Sequence, residues 1–124
     1  MRKIRITAGD VSVTASLNDS KTAEAIWNVL PIEARANTWG EEIYFGIPVH
    51  LKEENAQAVV ELGDLGYWPP GHAFCIFFGR TPVSQGNEIR PASPVNVFGK
   101  IEGDPTVFTK VRDGERIIIE KVEE

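Results

Sequence analysis

Apolar and polar positions alternate at the start of the chain. "KIRIT" (3–7) and "VSVTASL" (11–17) flank Ala8-Gly9-Asp10. This period of two predicts a β-hairpin with one face on a core, and Ile4, Ile6, Val11, Val13 and Leu17 are its inward members. The period then changes. In "NDSKTAEAIWNVLP" the positions Ala23, Ile26, Trp27 and Leu30 recur at helical spacing. This predicts a helix over about 20–30, capped by Asp19 or Ser20 and ended by Pro31, which has no N–H to donate. "EARANTWG" and "EEIYFGIPV" read as strands around Gly40, and "LKEENAQAVVE" as a polar turn entering a strand at 58–62.

The centre of the chain has a different texture. "DLGYW" and "HAFCIFF" are joined by Pro69-Pro70-Gly71, which fits a type II turn with Gly71 at positive φ. "AFCIFF" does not alternate, so it must be covered on both faces. A closed barrel with a helix packed on its outside or over an end would supply such cover. "GRTPVSQGNEIRPASP" is a long polar loop, and loops of that length often carry function. "VNVFGKIEG" is a strand. "DPTVFTKV" is a short helix over about 104–110, with Asp104 as its cap and Pro105 in its first position. "ERIIIEKV" closes the chain after the Asp113-Gly114 turn. About eight strands, one clear helix and one short one place the chain in the all-β class as a sandwich or barrel.

Composition sharpens this picture. The 124 residues, 42% hydrophobic and 25% charged, suit one domain spanning 1–124 with a single core. No apolar run approaches the ~20 residues of a membrane helix, and the start shows no signal-peptide pattern. The single cysteine leaves no intramolecular disulfide and no Cys-rich zinc site. A cytoplasmic location is the expectation. The net charge of −5, with scattered Lys and Arg, argues against nucleic acid as a partner.

Candidate chemistry is sparse. No Ser-His-acid arrangement or nucleophile elbow is visible. His50, His72, Glu61 and Asp64 have no metal-ligand spacing. No cofactor motif is present. Cys75, between Phe74 and Ile76, reads as a small buried apolar residue. The adjacent carboxylates Glu41-Glu42 and Glu53-Glu54 read as solvated. What remains is a concentration of large side chains beside turns: Tyr44, Tyr67, Trp68 and Phe78. Such groups line ligand pockets and peptide sites. Asp64, Arg80, Thr81 and Asn96 are the polar residues near enough in sequence to join them, whereas Phe74, Ile76 and Phe98 read as barrel filling.

Several of these stretches occur together elsewhere. "HAFCIFFG", "VNVFGKIEGDPTVFTKV" and "GERIIIEKV" resemble the C-terminal half of cyclophilins, with "VFGKIEG" (97–103) the tightest match. The resemblance implies a closed eight-stranded barrel of the prolyl-isomerase type. "GDLGYWPPGHAFCIFFGRTP" (63–82) is similar to the hallmark segment of a small prokaryotic family of cyclophilin-like proteins without assigned function, and that likeness spans nearly the full chain. On the cyclophilin pattern the catalytic arginine falls on Phe45, in "EIYFGIP", and the pocket histidine falls near Val95. A phenylalanine cannot polarise a prolyl amide. The expectation is therefore a binding domain without catalytic residues, metal or cofactor. It would take a small molecule or extended peptide beside Tyr44, Phe45, Asp64, Tyr67, Trp68, Phe78, Arg80, Thr81 and Asn96. An atypical isomerase using Arg80 or Arg90, and a regulatory or interaction module of a larger assembly, are the alternatives.

Overall fold

The computed structural model describes residues 2–122. Its strands are β1 (Lys3–Ala8), β2 (Val11–Leu17), β3 (Ile32–Arg35), β4 (Asn37–Thr38), β5 (Glu42–Gly46), β6 (Asp64–Trp68), β7 (Ala73–Phe77), β8 (Asn96–Ile101) and β9 (Arg116–Lys121). They form one antiparallel sheet in the order β3-β9-β1-β2-β8-β6-β7-β5-β4. The two end strands, β3 and β4, are separated in sequence by Ala36 alone. One kinked segment therefore pairs with β9 on one side and with β5 on the other. At the kink Ala36 N–H donates to Glu115 O at 2.8 Å, and Ala36 O accepts from Gly114 N–H at 2.7 Å. The barrel is nearly closed, and the nine strands run as about eight around it, as expected of this architecture.

The alternation of β1 and β2 places Ile4, Ile6, Ala15 and Leu17 in the interior. The helix α1 spans Lys21–Asn28, and Ser20 is its cap: Ser20 Oγ accepts from Ala23 N–H at 3.1 Å. The short helix at 105–110 is a 3-10 turn, and Asp104 Oδ1 accepts from Thr106 N–H at 3.0 Å. The strand expected at 58–62 is absent; that segment makes only isolated bridges, Gln57 to Val95 and Val60 to Ile89.

Two findings differ from expectation at the site-forming end. Pro69–Gly71 is a 3-10 turn, and the positive φ falls on His72 (48°), not on Gly71. The glycine is needed for another reason. A Cβ at position 71 would lie 2.6 Å from Cζ3 of Trp68, so the indole lies against bare backbone. Second, the apolar strand β7 is covered on its outer face by loops, not by a helix. Phe74 and Ile76 point into the barrel with Phe45 and Phe98. Ala73, Cys75 and Phe77 point outward and form a second cluster with Val60, Ile89 and Val95, flanked by Tyr44, Trp68 and Val97. The long loops 47–63 and 78–95 fold back to supply part of that layer.

Candidate functional site

The outer layer is incomplete, and the gap is a cleft of about 300 Å³. It is lined by Trp39, Glu42, Tyr44, Trp68, Cys75 and the loop residues 91, 92 and 95. Strand geometry explains the membership. Along β5 the side chains of Ile43 and Phe45 enter the barrel, so Glu42 and Tyr44 face outward. Along β6, Leu65 and Tyr67 point inward and Trp68 outward. Cys75 faces outward opposite Tyr44 in the β5–β7 ladder.

The far wall is the loop, and specific bonds hold it. Ser84 Oγ accepts from Thr81 N–H and from Arg90 N–H, each at 3.0 Å. Thr81 Oγ1 donates to Arg90 O. Trp68 Nε1 donates to Ser93 Oγ at 2.6 Å. Gly66 admits the returning segment, because a Cβ there would come within 2.8 Å of Val95 Cγ2. The cleft is thus a preformed concavity.

Its chemistry centres on Glu42. The residue is 5% exposed, and among the described residues its Oε1 is the one buried side-chain oxygen or nitrogen without a hydrogen-bond partner. Burial pushes its carboxyl up to about 7, while the Cys75 thiol pulls the other way. Burial and the neighbouring Glu42 together hold the Cys75 thiol well above its ordinary value. A thiol so raised is a poor nucleophile. Among the described residues no group of three or more His, Cys, Asp or Glu is placed to hold a metal ion, and no helix is long and apolar enough to cross a membrane.

Of the residues singled out from sequence, the structure brings Tyr44 and Trp68 together in this cleft. The others lie apart. Phe45 stacks on Phe74 inside the barrel, with ring centroids 5.1 Å apart. Tyr67 is fully buried; its hydroxyl donates to Val49 O at 2.6 Å and accepts from Leu51 N–H at 3.1 Å. Phe78 packs towards Phe108. Asp64 accepts from Glu61 N–H at 2.8 Å and stands 3.6 Å from Lys100 Nζ. Asn96 is buried, donating to Thr22 Oγ1 and Lys52 O and accepting from Glu54 N–H. Arg80 donates to Ser84 O at 3.0 Å, and Thr81 is spent within the loop.

Glu42 and Trp39 were missed. Adjacent carboxylates look solvated in a sequence, and here Glu41 is exposed while Glu42 is buried. The available signal was the parity of "EIYF". If Phe45 is in the core, Glu42 shares the opposite face with Tyr44, and "AFCIFF" next door requires that face to be covered.

The family model described as Cyclophilin-like matches residues 2–120. The solution structure of the hypothetical protein AF2241 from Archaeoglobus fulgidus is similar at 43% identity with a TM-score of 0.83, covering 98% of this chain and 95% of that one. A structure of McbB in complex with tryptophan aligns with a TM-score of 0.73 at 14% identity, covering 98% of this chain and 45% of that one. This second likeness is one of fold. None of the curated proteins matches the chain in sequence.

Proposed function

This chain belongs to the cyclophilin-like family, and on that premise we propose that it is a binding domain taking a small organic molecule into the cleft between Trp39 and Trp68. The observation that carries the reading is the cleft itself: about 300 Å³, walled by two indoles and a phenol, with the buried Glu42 carboxyl, whose Oε1 has no partner, in its lining. An apolar concavity with a single convergent polar group is the usual form of a ligand pocket, and this volume stands at the small end of the range. McbB, on a similar fold, is described in complex with tryptophan. A fold hosts many functions, so that precedent supports the scaffold and not the ligand. A cytoplasmic setting fits the single cysteine.

The isomerase alternative has less support. Phe45 points into the barrel, so the side chains that β5 presents to the cleft are a carboxyl and a phenol. Arg80 is engaged with Ser84 O, and Arg90 Nε lies 2.6 Å from Glu88 Oε2. Neither lines the cleft. Thermal-shift screening against metabolites and proline-containing peptides tests the proposal. Stabilising hits that vanish in both Trp39→Ala and Trp68→Ala support it. Hits indifferent to those variants, or none across the library, contradict it. Turnover of a prolyl peptide in a protease-coupled assay would favour the isomerase instead.

A further inference from the structure

We propose that the cleft selects a protonated amine carried on an aryl or alkyl body, with the Glu42 carboxylate as its counter-ion. The inference rests on the reading of the cleft as a ligand site and names the chemistry it prefers. Three observations carry it.

First, Glu42 Oε1 is buried without a partner. A buried carboxyl short of donors is destabilising, and Glu42 also lines the cleft, so a ligand that donates to its carboxyl offsets part of that penalty. Second, among the described residues the lining holds no Lys, Arg or His, so they supply no cation there. Third, the walls are Trp39, Trp68 and Tyr44, rings whose negative π-faces attract cations, most strongly when water is excluded. A carboxylate in the lining beside indole walls suits an ammonium head: a charge-assisted N–H···O bond to Glu42, and aromatic contact for the rest. An anionic ligand would bring like charge to a buried carboxyl, and a purely apolar one would bring that carboxyl no donor.

The titratable groups facing Glu42 are the Cys75 thiol on β7 and the Tyr44 phenol on its own strand; the loop presents Pro91, Ala92 and Val95, which carry none. In the free protein the Glu42 carboxyl titrates at about 7. Below that pH the incoming cation must displace a proton, so affinity falls about tenfold per unit. Above it, affinity is flat. An alkylammonium stays charged across this range, as lysine does with a pKa of about 10.4.

The test uses three probes of matched body on the full chain: phenethylamine, 2-phenylethanol and 3-phenylpropionate, followed by calorimetry from pH 5.5 to 8.5. The expected result is phenethylamine at least tenfold tighter than the alcohol at pH 8, with proton release on binding near pH 6.5. That preference is lost in Glu42→Gln. If the alcohol or the acid binds as tightly as the amine, the inference is overturned while the ligand-site reading stands. If none of the three binds and the Trp39 and Trp68 indole signals do not move, both fall. Should Glu42→Gln not fold, the wild-type pH profile and the amine-to-alcohol ratio still decide.

Discussion

Trp68 and Ser93 are joined by a bond of 2.6 Å from the indole N–H to the serine hydroxyl, across a sequence separation of 25 residues. That contact fastens the end of β6 to the loop forming the far wall of the cleft. Trp68 is also boxed in from below, because a Cβ at position 71 would meet its ring. The indole is therefore oriented by two neighbours before any ligand arrives, and such preorganisation lowers the cost of binding.

Ser93→Ala removes one of these restraints. The expected loss is about 1 kcal/mol of stability, with faster amide exchange from Ala92 to Val95 and weaker binding in the cleft. Denaturant unfolding and hydrogen exchange measure the two effects separately. Unchanged exchange in that segment would show that other contacts hold the loop.

Gly71→Ala removes the other. Position 71 has no positive φ, so alanine meets no backbone strain and the substitution isolates the clash with the indole. Displacing a packed ring costs about 1–3 kcal/mol. The Trp68 indole resonance should shift, and the cleft should narrow or open. A variant with native stability and an unmoved indole would refute the close approach.

Tyr67 shows how the barrel interior supports the outer layer. Its hydroxyl serves Val49 O and Leu51 N–H on the loop after β5. Tyr67→Phe keeps the ring and strands both groups, for an expected loss of about 2 kcal/mol. Chemical unfolding reads the stability, and retained ligand affinity would separate this structural role from the binding site.

Glu42 makes stability depend on pH in an unusual direction. Its folded pKa, about 7, lies above the unfolded value of about 4.3. The folded state therefore binds more protons between these values, and stability falls as pH rises through that window and levels off above 7. The contribution is on the order of 4 kcal/mol at most. Subtracting the Glu42→Gln profile from the wild-type profile isolates it from Asp64, whose carboxyl burial also raises. A difference profile that stays flat between pH 5 and 7 would place the acid in solvent.

The parts of the fold legible in the sequence were those governed by local physics. The period-two hairpin, the period-3.6 helix and the Asp104 cap each need only neighbours within a turn or two. Family resemblance supplied the barrel. The site was less legible because it depends on how loops with no periodic signal fold back over a sheet. Nothing local says that Ser93 reaches Trp68, or that the segment at 57–60 covers Phe77. The same ignorance placed Tyr67 and Asn96 beside a cleft, when their polar atoms are consumed inside the structure. It also placed Phe45 at a surface, although "EIYF" admits only one parity once the neighbouring strand is a wall.

The most direct measurement is a titration of the three tryptophan indole N–H resonances with phenethylamine at pH 8. Trp39 and Trp68 line the cleft, while Trp27 does not; it lies on α1, with Lys121 Nζ 4.9 Å from its ring centroid. Saturable shifts are expected at Trp39 and Trp68, with Trp27 unmoved. Shifts confined to Trp27, or equal at all three, would contradict it.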